Sequence, residues 1–145
     1  MTVEILLVED NQADVLLLSE VLETEEWSHC LHAVEDGVEA LDFLYRRHAH
    51  ANAPRPDLIL MDLNTPRKNG SEVLAEIRTD PVLAHIPVII LSGSPWERDT
   101  LSLLGIPEER YLIKPMTYQG YLDVVQQIQD IWRRLGRAGS RDLRP

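Results

Sequence analysis

Five polar residues in this chain stand where short apolar runs stop. The run at 5–8 stops at Glu9-Asp10, the run at 58–61 at Asp62, the run at 88–91 at Ser92, and the run at 111–113 at Lys114. Clustered carboxylates repel one another and need a cation; hard oxygen ligands with positions left for water suit Mg²⁺. A carboxylate such as Asp62 can be both metal ligand and nucleophile, attacking phosphorus to give an aspartyl phosphate. Mg²⁺ would then offset charge on the transferring phosphoryl group, and Lys114 would pair with another of its oxygens. The Ser92 hydroxyl and nearby backbone N–H groups could bind a third. Lys114 is one of only two lysines, with Lys68, against twelve arginines. A compact ammonium fits beside a phosphoryl oxygen and carboxylates where an arginine fork does not. Taken singly, each residue has a plainer reading: acidic residues after strands cap helices, and a lone Ser or Lys in a loop is surface chemistry. The joint placement is what chance does not readily supply.

That placement depends on the elements between. The runs at 3–8, 30–34, 57–61, 87–91 and 111–113 read as strands, several apolar on both faces. Helical spacing of apolar residues predicts helices over 13–23, 37–47, 70–79, 96–104 and 118–135, with a loop over 48–56. Five strand–helix units in succession imply an α/β domain: a doubly wound five-stranded parallel sheet with five helices and right-handed crossovers. In such sheets ligands bind beyond the carboxyl ends of the strands, where these polar residues lie.

Composition narrows the classes of function. At 145 residues and 16.6 kDa the chain has the length of one domain, able to bury a core without a staple. The charged fraction is 26% and the net charge −10, which disfavours nucleic acid as the main partner. A single cysteine, Cys30, excludes an intrachain disulfide and a cysteine-built zinc cage. No signal peptide and no apolar stretch of bilayer length is present, so a cytoplasmic location is expected. From Arg133 onward five arginines face one aspartate. We therefore expect a domain over 1–135 and a basic, flexible tail over 136–145, the plain reading of which is a solvated end.

The motifs Val8-Glu9-Asp10-Asn11, Met61-Asp62-Leu63-Asn64-Thr65-Pro66, Gly70, Leu91-Ser92-Gly93 and Lys114-Pro115 occur in order and at family-like spacing. Over about residues 3–135 the chain resembles the receiver domain of a two-component response regulator. The resemblance implies the flavodoxin-like receiver architecture with strand order 2-1-3-4-5. It also implies Asp62 as phosphoacceptor, and a metal site of Asp10, Asp62, the Asn64 backbone carbonyl and Glu9, the last through water. Lys114 and Ser92 would contact the phosphoryl group. Ser92 and Tyr111 would form the switch, Ser92 moving toward the phosphoryl and vacating space into which Tyr111 turns. The family also has a cis bond at the Lys114-Pro115 position. On this resemblance the protein is a signalling switch, not an enzyme. It would take phosphoryl from a sensor histidine kinase, and too few residues follow the last helix for an output domain.

Asp62 through Gly70, the stretch Glu72-Val73-Leu74-Ala75-Glu76-Ile77-Arg78, the stretched loop through Arg55-Pro56 and the long last helix are similar to response regulators paired with phytochrome histidine kinases. Apolar residues on that helix suggest a homodimer through Tyr121, Trp132 and Leu135, on the face of the fourth helix, fifth strand and fifth helix. The plainer reading has them pack on the protein's own loops. Two features depart from the pattern: the longer segment 106–110, and Met116 after Pro115. Two other functions compete. A haloacid-dehalogenase-type phosphatase also uses Asp and Mg²⁺, but it needs an acid two residues on, where Asn64 cannot donate and retrieve a proton. A docking module independent of phosphorylation would not need the intact set of polar residues.

Overall fold

The computed structural model describes residues 2–93 and 105–143, with 136–143 as backbone. Five strands form one parallel sheet: β1 (Val3–Val8), β2 (His29–Val34), β3 (Leu58–Met61), β4 (Val88–Ser92) and β5 (Tyr111–Ile113). Their order is β2-β1-β3-β4-β5, as the resemblance implies. Four α-helices lie among the described residues: α1 (Gln12–Thr24), α2 (Gly37–Tyr45), α3 (Gly70–Thr79) and α4 (Tyr118–Leu143). The helix expected over 96–104 lies outside the described residues.

Alternation along the strands divides the core into two layers. Leu6, Val8, Ile59, Met61, Val88 and Ile90 face α2 and α3, meeting Phe43, Leu44, Val73, Leu74 and Ile77. Ile5, Leu7, Leu58, Leu60, Ile89 and Leu91 face α1 and α4, meeting Leu18, Val21, Leu22, Val125 and Ile128. Both faces are therefore dry, which is why the central strands read as unbroken apolar runs. Each fully buried Leu or Ile contributes about 1.5–3 kcal/mol of transfer free energy.

Polar side chains start the helices. Asn11 caps α1 by accepting from the Asp14 N–H at 3.1 Å, and Asp36 caps α2 by accepting from the Glu39 N–H at 2.8 Å. Asn69 and Glu72 make a reciprocal capping box at the start of α3, which sets its first residue at Gly70. At the other end of the chain α4 runs eight residues past its expected end, to Leu143. Gly136 and Gly139 lower helix propensity there without breaking the hydrogen-bond ladder, so residues 136–143 of the expected tail continue the helix.

The register brings the strand ends level. Val8 pairs with Val34 and Met61, Met61 with Ile90, and Ser92 with Ile113. The ladder then extends one bond past β1, β3 and β5. Glu9 N–H donates to Val34 O at 2.9 Å, Asp62 N–H to Val8 O at 3.0 Å, and Lys114 N–H to Ser92 O at 2.8 Å. The polar residues that follow the apolar runs are thus held by the sheet itself. Among the described residues no helix is long and apolar enough to cross a membrane.

Candidate functional site

Lys114 is the hub of the C-terminal edge. Its Nζ lies 2.5 Å from Glu9 Oε1, 2.8 Å from Asp62 Oδ2 and 3.0 Å from Asp14 Oδ2. Glu9, Asp62 and Ser92 are buried, and Asp10 is exposed at the rim. Glu9, Asp10 and Asp62 each offer a carboxylate oxygen within 4.8 Å of the other two. The five residues singled out from the sequence therefore share one edge, and four of them have side chains in this cluster. Ser92 is fully buried as the last residue of β4, rather than the first residue after it.

Each carboxylate is oriented from the backbone. Asp62 Oδ1 accepts from the Asn64 N–H at 3.0 Å, leaving Oδ2 for Lys114. Glu9 Oε2 accepts from the Asn11 N–H at 3.2 Å, leaving Oε1 for Lys114. The loop after Asp62 is closed by Gly70 N–H to Leu63 O at 3.0 Å and by Thr65 Oγ1 to Lys68 O at 3.1 Å. Two glycines permit that closure. A Cβ on Gly70 would lie 2.8 Å from Leu63 Cα, and one on Gly37 would strike the Lys68 carbonyl oxygen.

Burial drives the Glu9 carboxyl up to about 7, against the lowering effect of its bond to Lys114. Lys114 goes the other way. Burial pulls its pKa down, but hydrogen bonds to Asp62, Glu9 and Asp14 outweigh this and hold the ammonium protonated above the ordinary lysine range. The edge thus crowds negative oxygens around one cation, with Asp10 open to water. That donor set fits a hard divalent ion that keeps some of its waters.

Two participants were missed in the sequence. Asp14 places one oxygen on Lys114 and the other 3.2 Å from the Tyr121 hydroxyl. In sequence Asp14 is only the acidic third residue of a capped helix, a common surface position. Tyr121 requires a correction: expected on a dimer surface, it is 1% exposed and packs between α1 and the sheet. A ring large enough to fill that layer is more stable inside, and Asp14 satisfies its hydroxyl. Trp132 and Leu135 are half-buried against the same layer. Tyr111 is buried in the opposite core layer, the one to which α2 and α3 contribute. The Lys114–Pro115 peptide also differs from expectation: no cis peptide bond occurs among the described residues, so it is trans, the form an X–Pro bond ordinarily favours.

An acidic cluster, a lysine and a buried hydroxyl stand together at the carboxyl edge of a 2-1-3-4-5 parallel sheet, which is the architecture of a receiver domain. Residues 5–126 match the model of the response regulator receiver domain, and the chain belongs to that family. It is 43% identical over 128 residues to response regulator Rcp1 of Synechocystis, covering 88% of this chain and 87% of that protein. The crystal structure of the phosphorylated cyanobacterial phytochrome response regulator RcpA superimposes with a TM-score of 0.81 at 41% identity, over 91% of this chain and 94% of that one. The Mn²⁺-bound form of Rcp1 gives a TM-score of 0.79 at 42% identity, over 89% and 93%. The chain thus resembles phytochrome response regulators in particular, and one of these relatives holds a divalent metal.

Proposed function

We propose that this chain is a stand-alone response regulator that accepts a phosphoryl group on Asp62 from a sensor histidine kinase, a bacteriophytochrome. The observation that carries this reading is the contact between Asp62 and Lys114 at 2.8 Å, beside buried Glu9 and exposed Asp10. An Asp62 carboxylate oxygen attacks phosphorus, the N–P bond of the phosphohistidine breaks, and the imidazole leaves with the bonding electrons and takes up a proton. Lys114 holds the carboxylate before transfer and shifts to a phosphoryl oxygen after it. Ser92, at the end of β4, offers its hydroxyl to another phosphoryl oxygen. Asp10, Asp62, the Asn64 carbonyl and Glu9, through water, would hold Mg²⁺, which offsets the charge on the phosphoryl oxygens.

Signalling follows from movement on the face that includes β5 and α4. As Ser92 turns to the phosphoryl group, the space beside it governs how Tyr111 packs, and the surface over β5 changes. Ile113 and Tyr118 are 39% and 45% exposed beside that face. Together with the half-buried Trp132 and Leu135 they give a second copy of the chain an apolar contact. Kinase docking has its own apolar contact. Leu16 on α1 is 64% exposed and Met116 after β5 is 97% exposed, and the Asp14–Lys114 bond ties their two segments together beside the pocket.

The test is intact mass after incubation with acetyl phosphate and Mg²⁺, wild type beside Asp62→Asn. The expected result is a gain of one phosphoryl group in wild type alone, lost on chelating the metal. Absence of uptake both from acetyl phosphate and from phosphorylated phytochrome kinases would overturn the reading and favour a docking module independent of phosphorylation.

A further inference from the structure

The opposite end of the sheet carries donors that phosphoryl chemistry does not use. Glu4 on β1 and Cys30 on β2 are register partners, so their side chains share one face of the sheet. His32, two residues beyond Cys30, shares that face as well. It is the α2–α3 face, to which Leu6, Val8 and Val34 contribute core residues further along the same strands. Glu4 Oε1 lies 2.8 Å from His32 Nε2. One ligand atom from each of Glu4, Cys30 and His32 lies within 4.8 Å of the other two.

Phe43 of α2 packs its ring 5.3 Å from the His32 ring and restricts how far the imidazole can turn. β2 is the edge strand, and Cys30 on it is exposed, so the group is open to an incoming ion. The chain has one cysteine, and it stands directly across the ladder from the carboxylate that already holds a histidine.

The donor types identify the ion. A thiolate, an imidazole and a carboxylate together suit Zn²⁺ and neighbouring late first-row ions, whereas Mg²⁺ takes oxygen alone. Three protein ligands with water in the fourth position is the usual open zinc arrangement. With bonds of about 2.0–2.3 Å, tetrahedral ligand atoms sit about 3.3–3.7 Å apart. The Glu4–His32 pair must open slightly and the Cys30 thiol must swing inward. Both movements are asked of side chains on an open strand edge.

We propose that Glu4, Cys30 and His32 form a transition-metal site of the Zn²⁺ class that clamps β1 to β2 at the end of the sheet remote from Asp62. On binding, the Cys30 thiol loses its proton to solvent and a metal–thiolate bond forms; His32 binds as neutral imidazole through Nε2 and Glu4 as carboxylate. No electron changes hands.

Co²⁺ is the probe, titrated into the full chain under a thiol-free reductant with Mg²⁺ in excess to fill the Asp62 pocket. The expected result is one equivalent bound per chain, with a thiolate-to-cobalt charge-transfer band and the visible bands of four-coordinate Co²⁺, both removed by Zn²⁺. Cys30→Ser loses the charge-transfer band. His32→Ala and Glu4→Gln weaken binding at least about tenfold, the size of loss that even an outer-shell partner causes. Asp62→Asn retains the band. Circular dichroism and thermal unfolding in chelator confirm that each variant is folded. Absence of the band in wild type overturns the proposal. So does unchanged affinity in His32→Ala and Glu4→Gln, which would leave only a lone surface thiolate, or loss of the band in Asp62→Asn.

Discussion

Lys68 and Lys114 are the chain's two lysines, both ion-paired, and they sit in regions that use the same ammonium for different ends. Lys68 meets one carboxylate, Glu76, at 2.6 Å, with the two side chains 28% and 41% exposed. Lys114 is 16% exposed and meets three carboxylates, of which Glu9 and Asp62 are 3% and 8% exposed. At the surface, solvent screens the pair and side-chain entropy opposes it, so it contributes little. At the sheet edge Glu9 and Asp62 are buried too deeply for solvent to screen them well, and one ammonium faces three carboxylates. The repulsion that remains is relieved by a further cation. The proposed phosphoryl transfer uses the region where charge is unbalanced, and the Lys68 region holds the loop that follows Asp62.

The strongest way to break this contrast is Lys114→Ala. In chelator at neutral pH it should cost about 3 kcal/mol in urea unfolding, because it strands buried carboxylates. Added Mg²⁺ should recover much of that loss; a loss that metal does not touch would mean that the pocket is not short of positive charge.

Gly70→Ala tests the loop instead of the charge. Its new Cβ would meet the backbone at Leu63, so the loop behind Asp62 must shift, at about 1–3 kcal/mol. Slower phosphoryl uptake should accompany the lost stability, measured by mass against time. Normal uptake in a destabilised variant would show that loop placement does not aim Asp62.

A pH series sharpens the comparison further. Glu9 has its carboxyl pushed up to about 7 from an ordinary 4.5, so the folded protein binds this proton more tightly than the unfolded chain does. Its contribution to stability is therefore greatest at low pH and is lost as pH rises through about 7. In chelator, wild type should lose stability relative to Glu9→Gln between about pH 4.5 and pH 7. Metal affinity should rise over the same range, since binding must displace that proton. A constant difference between the two proteins across the series would place Glu9 among ordinary carboxylates.

The smallest effect is expected from Lys68→Ala. Its unfolding midpoint and its rate of phosphoryl uptake should match wild type within error. A clear loss of either would show that the exposed pair with Glu76, and not only the loop backbone, aims the acceptor.

Much of this arrangement was legible in the sequence. Unbroken apolar runs at 58–61 and 88–91 marked strands buried on both faces, and each stopped at a polar residue on the carboxyl edge of the sheet. The start of α3 was equally clear, because Asn69 and Glu72 signal it locally. The extent of α4 was not, since two glycines and a run of arginines resemble a helix end without being one.

The sequence by itself determined the order of strands and helices and the edge on which the polar residues collect. Periodicity and capping are local properties, and right-handed crossovers between parallel strands bring their carboxyl ends to one side. Only the tertiary structure decided which side chains touch. Asp14 turns to Lys114, Tyr121 turns inward to Asp14, and Cys30 faces Glu4 across the ladder. These contacts depend on strand register and helix rotation, which are set by the simultaneous packing of the two core layers and not by any one segment.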